Sequence, residues 1–493
     1  MPRYKFIEVE TRGGKSSNPT SSVRSHAIRA GLRRSVNPQR TRGAVQSILS
    51  TEHRGDLISL EVKAAKHKSP DPHLVVDIPI GNSIRPPTYH VESVCAGRVD
   101  PFNCFPIPTN LETDHLVKYL IIKFNISSAT TDRSKSWFPY ALQSAPMMHS
   151  TLAMTAALWR VEYPVLEHSI QIEGIRQKGE AMRLIRARLE LVDLSSIVDS
   201  KEFTFIMSTI STLVIAEVVD GDFEAAEMHL QGVYKLFGLR GDHDSFRDEW
   251  VFRKSISLAD IQLAVALGRQ LIFPPLHLDH AYLPATVTDH AQHPPLDCSI
   301  TSGSSYERVE IFTRLRQLLL ARQSLTVSPE NQLILLNVVD ELILQYLYRD
   351  CVDDVSDSRR RSCSLVLAAH VFMYVTLRRV PPRSPLIRRI CMRLQGTVGI
   401  APTAGQTWTE NQAALLWIAF VGLLGTGEGE WAETCPTGQS FLHLFRSVIR
   451  AYPRDLHLGV GNLRGILSAF LWDESYCQPL LAWLEHRQLT GQK

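Results

Sequence analysis

Apolar residues recur at helical spacing from about Asp114 onward, and this periodicity limits the fold of the chain more than any other feature. In the stretch KEFTFIMSTISTLVIAEVV, the residues Phe203, Ile206, Ile210 and Val214 are three or four positions apart, so they lie on one face of a helix. Runs of strict apolar and polar alternation, which are typical of half-buried strands, are few. The pattern therefore predicts a body built almost wholly of helices.

A short turn joins this helix to the next one. The sequence DGD at 220–222 interrupts the pattern, and FEAAEMHLQGVYKLFG resumes it, with Asp222 as the predicted N-cap and Gly238 as the predicted helix end. Two helices with so short a link pack antiparallel. Similar segments follow without a fixed period. We therefore predict an all-α fold, an irregular, solenoid-like stack of antiparallel helical hairpins behind a disordered basic N-terminal arm.

The composition divides the chain into two regions. Residues 1–90 mix Ser, Thr, Gly, Pro and basic residues with few large apolar ones, so we expect them to be disordered. Residues 91–493 are expected to form the helical domain. The Pro/His-rich loop 273–298 is its longest interruption. It is expected either to join two lobes, 91–272 and 299–493, or to cover one of them.

Positive charge is concentrated in the N-terminal region, although the whole chain carries a formal net charge of only +3. Residues 11–51 contain eight Lys and Arg residues and no Asp or Glu. The stretch SSVRSHAIRAGLRRS supplies the candidate contacts with nucleic acid or with an import receptor, namely Arg24, His26, Arg29, Arg33 and Arg34. A helix would place His26, Arg29 and Arg33 on one face. A solvated tail is the alternative interpretation.

The eight cysteines exclude a zinc cluster within this sequence. No two of them are separated by two residues, the spacing that tetrahedral zinc sites commonly need. Their scatter through apolar segments indicates reduced core thiols in an intracellular protein. No secretory signal is recognisable, and the longest apolar run, at 413–425, is shorter than the roughly 20 residues that span a bilayer. We expect no membrane association.

The Pro/His-rich loop contains several side chains of the metal-ligand type, namely His277, His280, His290, His293 and Cys298. No helix fixes them on one face, as it does in the His-Glu-x-x-His motif. A polar surface loop is therefore the favoured interpretation.

The stretch DDVSD at 353–357 has the spacing of the aspartate-rich motif of helical terpene synthases, which hold magnesium and diphosphate. Such enzymes need a second Asn/Ser/Glu metal motif downstream, and the sequence contains none that we recognise. The arginines that follow in SRRRS favour an acidic loop that caps a helix beginning near Ser362. The stretch GTGEGEW at 425–431 is interpreted as a helix-terminating turn, because a phosphate loop needs a preceding strand. We expect no catalytic residue, cofactor or metal.

Several segments of the helical body occur in an order that is typical of one known family. MMHSTLAMTAALWR at 147–160 contains a His-Ser-x-x-Ala-x-x-Ala helix, and VVDGDFEAAEMHLQGVYKLFGLRGD at 218–242 has a Gly-Asp turn before a His-Leu-x-Gly helix. RKSISLADIQLAVALGRQLIFPP at 253–275, YVTLRRVPPRSPLIRRICMRL and LRGILSAFLWDESYCQPLLAWLE follow. Together they resemble, over about residues 115–485, the regulatory domain of the fungal-specific transcription factor family, which usually follows a binuclear zinc cluster.

The N-terminal segments KFIEV and VRSHAIRAGLRRS resemble the front of a subgroup of this family that lacks the zinc cluster. The resemblance implies a nuclear, non-enzymatic transcriptional regulator, which controls a fungal metabolic or secondary-metabolite gene set. DNA, through the basic arm, and other transcription factors or co-regulators are the implied partners. One alternative is a helical scaffold that recruits other regulators without binding DNA. A magnesium-dependent, terpene-synthase-like enzyme is the less favoured alternative.

Overall fold

The computed structural model confirms the predicted all-α class. The structure describes residues 100, 103–123, 136–163, 168–191, 201–240, 249–274, 276, 287, 306–323, 327–348, 357–399, 411–427, 430–451 and 460–490. These residues are 85% helical and include no strand, and they belong to one compact unit, Ile80–Lys493. Residues 1–90 and most of the loop 273–298 lie outside the described residues, so the disordered arm and the two lobes stay predictions.

Sixteen α-helices occur in the part of the chain that the structure describes. The first eight are α1 (Leu111–Lys123), α2 (Trp137–Ala141), α3 (Ala145–Glu162), α4 (His168–Leu191), α5 (Lys201–Asp220), α6 (Phe223–Arg240), α7 (Trp250–Leu267) and α8 (Tyr306–Gln323). The remaining eight are α9 (Pro329–Tyr348), α10 (Asp357–Phe372), α11 (Pro385–Val398), α12 (Gln412–Thr426), α13 (Glu430–Thr434), α14 (Pro436–Ala451), α15 (Val460–Ser468) and α16 (Glu474–Thr490). A π-helix, Met373–Leu377, continues α10.

Helix α5 is buried along most of its length. Of its 20 residues, 15 are buried, and helices α3, α6 and α7 pack against it. By length and apolar composition α5 could cross a bilayer, but 78% of its most apolar window is buried inside the fold. This burial is what the core helix of a folded domain shows.

Helix α12 is surrounded in the same way. Every residue from Ala414 to Thr426 is buried, and helices α10, α11 and α14 pack around it. The Trp417 ring stacks on Phe470 at a centroid distance of 5.3 Å, and its indole nitrogen donates to the Leu471 carbonyl over 3.2 Å. Gly427, with φ of 90°, ends the helix, which confirms the turn predicted there.

The turn between α5 and α6 forms as the sequence predicts. The Gly221 amide donates to the Glu217 carbonyl over 2.8 Å, and the Asp222 carboxylate accepts from the Ala225 amide over 3.0 Å, so Asp222 is the N-cap. The predicted helix end at Gly238 is wrong, because α6 continues through that glycine to Arg240.

Two further helices differ from what the sequence patterns predict. Helix α10 begins at Asp357 and not near Ser362, because Asp357 occupies its first turn, where a carboxylate interacts favourably with the helix dipole. Helix α16 contains Pro479 in its interior. Because proline usually ends a helix, the sequence pattern does not predict a helix there.

The α5–α6 turn gives a sharp test of this packing. Gly221 has φ of +87°, and an added Cβ would lie 2.8 Å from the Pro385 Cβ, so Gly221→Ala should lower the free energy of unfolding by about 1–3 kcal/mol. Gly232 lies within α6 with no neighbouring atom within 4 Å of an added Cβ. Gly232→Ala should therefore stabilise the protein by about 0.5–1 kcal/mol. Denaturant unfolding checks both, and equal effects of the two substitutions would contradict the turn geometry.

Candidate functional site

The basic-arm residues that the sequence singles out lie outside the described residues, and so do the metal-ligand side chains of the Pro/His-rich loop. Of DDVSD, only Asp357 is described, and its Oδ1 lies 3.7 Å from Nη1 of Arg360 within α10. Among the residues that the structure describes, no group of three or more His, Cys, Asp or Glu side chains could hold a metal ion. These candidates stay predictions.

A second acid-free segment lies mostly within the described range 357–399, and the apolar periodicity of the sequence does not indicate it. Residues 358–409 contain no Asp or Glu, and they contain nine arginines, namely Arg359, Arg360, Arg361, Arg378, Arg379, Arg383, Arg388, Arg389 and Arg393. The length of this acid-free run is the signal that could have revealed a basic surface. We call residues 378–384, between the π-helix and α11, the arginine loop. Three of the nine arginines lie in this loop, and three more lie on α11 directly after it.

Arg378 anchors the arginine loop in the core. Its Nε donates to Oδ2 of Asp340 over 2.8 Å, and its Nη2 pairs with the same carboxylate and donates to Oδ1 of Asn337 over 2.8 Å. Asp340 is completely buried on α9. Burial alone would lower the pKa of Arg378, but the attraction of Asp340 outweighs it and raises the pKa. The Arg378 guanidinium therefore keeps its charge inside the protein.

His370 and Tyr374 complete this buried group. Nε2 of His370 lies 2.8 Å from Oδ1 of Asp340, and the His370 and Tyr374 rings meet edge to face at 5.1 Å. Burial lowers the pKa of His370 and raises that of the Tyr374 hydroxyl, so both side chains are neutral near pH 7. Tyr374 lies in the π-helix, a helix irregularity that is frequent at functional sites.

The arginine loop itself has an unusual backbone. Arg379 has φ of 54° and Arg383 has φ of 74°, a left-handed conformation that few residues other than glycine adopt. Ser384 then caps α11 by accepting from the Ile387 amide over 3.3 Å. Strained residues held by a rigid surrounding structure cluster at functional sites, which marks this loop as the candidate functional site.

Several elements contact α11, the helix that directly follows the arginine loop. The Arg389 guanidinium lies 5.1 Å from the centre of the Phe223 ring of α6, and Arg393 donates to the Val265 carbonyl of α7 and to the Tyr348 hydroxyl. Gly221 packs against Pro385, the first residue of α11. Helix α11 therefore packs against the α5–α6 turn and α7, and this packing fixes the C-terminal end of the arginine loop.

The side chains on the outside of this junction are basic. Arg379 and Arg383 in the loop, and Arg388 and Arg389 in the first two turns of α11, are all exposed. Guanidinium groups form paired hydrogen bonds with phosphate and carboxylate groups. The arrangement can therefore bind an anionic partner through the exposed arginines while Arg378 holds the loop from inside.

Ion pairs hold the neighbouring α5–α6 turn to α3 and α4. Nζ of Lys178 lies 2.7 Å from Oε2 of Glu217 and 3.3 Å from Oδ2 of Asp220, and Arg160 pairs with the same aspartate. Glu217 is almost fully buried, so these ion pairs have a structural role and hold the α5–α6 turn in place.

Two residues of the family-like segments also have structural roles. His149, in the segment 147–160, is buried, and its Nδ1 lies 2.5 Å from Oε1 of Gln177. Asp260 accepts hydrogen bonds from the Ile272 and Phe273 amides, both over about 3 Å, and so fixes the chain where it leaves α7. Burial raises the pKa of Asp260 to about 6. These side chains shape the core and are not exposed to a ligand.

The fold and the candidate site together define a helical interaction domain with a basic surface. Residues 116–462, well over half of the chain, match the family described as the fungal specific transcription factor domain. The chain therefore belongs to this family, as the resemblance implied. Membership implies a transcriptional regulator that is not an enzyme, that acts in the nucleus, and whose partners are DNA or other regulatory proteins. No curated protein and no solved structure matches the chain.

The buried ion pair predicts a large loss of stability on neutralising Asp340. Asp340→Asn leaves the Arg378 charge buried without its counter-ion, which should lower the free energy of unfolding by about 3–5 kcal/mol. The control Glu180→Gln weakens an exposed pair with Arg183 on α4 and should change stability by less than about 1 kcal/mol. Chemical denaturation at pH 7 compares the two, and a similar small loss for both would contradict the buried pair.

Glu341 predicts a pH dependence of stability. This side chain is 8% exposed, and burial, with the nearby Asp340 and Asp260 charges, raises its pKa from 4.5 to about 7. Between pH 4.5 and about pH 7, Glu341 is protonated in the folded protein and ionised in the unfolded chain. The free energy of unfolding therefore falls as the pH rises through this range. Glu341→Gln cannot ionise and should gain about 1–3 kcal/mol relative to the unmodified protein at pH 8.

Urea unfolding between pH 5 and 8 measures this effect. The exposed Glu190→Gln on α4 serves as the control and should keep the pH profile of the unmodified protein. A pH profile that Glu341→Gln leaves unaltered would show that Glu341 does not carry the dependence.

Proposed function

We propose that this protein is a nuclear transcriptional regulator of a fungal metabolic or secondary-metabolite gene set, which acts through its helical body and its basic N-terminal arm. The observation that carries the proposal is the family match over residues 116–462, which extends from α1 to α15. The gene set is the finer part of the proposal and rests on the resemblance of the sequence.

Positive charge supports contact with nucleic acid. The arm supplies Arg24, Arg29, Arg33 and Arg34 with no acidic neighbour between residues 11 and 51, and the arginine loop presents further exposed guanidinium groups on the body. Basic side chains of this kind contact phosphates, which supply affinity and not sequence preference. Within these 493 residues no zinc-cluster cysteine spacing is present to read bases. Sequence preference would then come from a partner protein.

A specific surface favours the co-regulator as a second candidate function. On α4, Ile172, Ile175 and Met182 are 54%, 63% and 40% exposed, and their spacing places them on one helical stripe. Exposed apolar residues grouped in this way are typical of protein contact surfaces. A helical scaffold that recruits a DNA-binding regulator would use such a stripe without contacting DNA itself.

The arm residues predict a localisation phenotype. Replacing Arg24, Arg29, Arg33 and Arg34 with Ala should markedly reduce nuclear retention of a fluorescently tagged chain, because both import receptors and DNA phosphates bind basic side chains. A variant with Arg183 and Arg186 of α4 replaced by Ala is a control that removes exposed charge elsewhere. Unchanged nuclear fluorescence of the arm variant would count against a role of the arm.

Salt titration separates the two candidate functions. If the protein contacts DNA, the logarithm of its affinity for duplex DNA should fall with the logarithm of salt concentration, with a slope of about −0.9 per neutralised phosphate and little sequence preference. The scaffold predicts no DNA retention at low salt, together with a zinc-cluster regulator among the proteins that co-purify. If Ile175→Glu no longer co-purifies with that regulator, the apolar stripe on α4 is the surface that binds it.

A further inference from the structure

A cavity of about 580 Å³ is lined by residues from the C-terminal part of the described chain. Its lining comes from α13, α14 and α16, namely Glu433, Gln439, Leu442, His443, Arg446, Ser447, Arg450 and Arg487. The volume is within the range of about 300–1,000 Å³ that is usual for small-molecule sites. The cavity therefore has room for a ligand of metabolite size.

Helix α14 places the basic side chains of this cavity on one face. His443, Arg446 and Arg450 are separated by three and four residues, so they follow one another along the helix, and all three are exposed. The opposite face of α14 is anchored in the core by Phe441 and Phe445. The basic face is therefore held in a fixed position.

The three basic side chains of α14 have no counter-ion among the residues that the structure describes. Neither His443, Arg446 nor Arg450 makes a hydrogen bond or ion pair there through its side chain, and the hydroxyl of Ser447 lies between them as a further donor. Charges that converge on one cavity without internal neutralisation raise the local concentration of anions.

Arg487 of α16 and Glu433 of α13 form the wall of the cavity that faces α14. Arg487 of α16 pairs with Glu433 and lies 5.8 Å from the centre of the Trp483 ring, so its guanidinium has a defined orientation towards the cavity. Gln439 donates to the Glu433 carbonyl over 2.6 Å and holds α13 beside α14. Gly438 permits this approach, since a Cβ there would lie 2.6 Å from the Ala432 carbonyl oxygen.

The geometry points to a binding site for a small polyanion, a molecule that carries two or more negative charges in phosphate or carboxylate groups. Arg446, Arg450 and Arg487 supply paired guanidinium donors on two sides of the cavity. Among the described residues that line the cavity, Glu433 is the single acidic side chain, against the three arginines Arg446, Arg450 and Arg487. The described lining therefore carries a net positive charge.

A compact ligand fits these observations better than a chain molecule. Arg487 of α16 lies across the cavity from the row of basic side chains on α14, so the positive charges face one another over a short distance. Contact with a nucleic acid backbone would instead require the row to continue along the surface. Leu442 is 6% exposed at the base of the cavity and gives the ligand an apolar contact. An acidic peptide is the competing occupant, and the experiment includes it as a separate arm.

Isothermal titration calorimetry on the purified full chain tests the site. Inorganic pyrophosphate represents phosphate ligands and citrate represents polycarboxylates, while a deca-glutamate peptide and a short DNA duplex represent chain polyanions. The pocket variant Arg446→Gln/Arg450→Gln is compared with Arg183→Gln/Arg186→Gln, which removes the same formal charge from exposed positions on α4. Thermal unfolding midpoints confirm that both variants are folded.

We expect pyrophosphate, citrate or both to bind with a stoichiometry near one, and the pocket variant to weaken this binding by about tenfold or more. The α4 variant should retain the affinity of the unmodified protein. Ser447→Glu places a negative charge between the two arginines and should abolish binding independently of the arginine substitutions. The identity of the stronger probe distinguishes a phosphate ligand from a polycarboxylate.

Three results would overturn the assignment. These are no binding of either small anion, equal weakening in the pocket and α4 variants, and binding of the peptide or DNA alone with sensitivity to Arg446→Gln/Arg450→Gln. None of these results tests the regulatory function proposed above, because nuclear localisation and DNA binding are the measurements that test it.

Discussion

Helices α5 and α12 are buried on nearly every side, and the positions of the other helices follow from their burial. A helix that is apolar all round is stable only when other helices cover each of its faces. The polar side chains within α5 fit this environment because they bond to their own helix: the Thr209 and Thr212 hydroxyls each donate to the carbonyl four residues earlier, over 2.7 Å. One group of helices packs around α5 and another packs around α12, and together they form the stack.

The buried charges of α9 and α10 have a different role. An Asp and an Arg that are both removed from water contribute little net stability, but loss of either partner is costly. Asp340 therefore fixes Arg378, and with it the start of the arginine loop, in one position. The loop can then present Arg379 and Arg383 to solvent in a strained backbone conformation, because its origin is held in the core. A rigid basic surface is the consequence.

Periodicity predicted the helical class, the α5–α6 hairpin and its N-cap Asp222, because these depend on residues close together in the sequence. It did not predict the Asp340–Arg378 pair, whose partners lie on different elements and 38 residues apart. The same holds for the cavity between α14 and α16, since the spacing of His443, Arg446 and Arg450 is also that of an ordinary solvated helix face. Helix α16 was concealed by Pro479.

The proposed function assigns the helical body to gene regulation, with charge on the arm and on the arginine loop for its partners. A protein with this function acts on chromatin. Genome-wide chromatin occupancy of the tagged protein, measured together with transcripts after its deletion, shows whether it does. We expect occupancy at a limited set of promoters whose transcripts change on deletion. Absence of occupancy above background, with no change in transcripts, would contradict it.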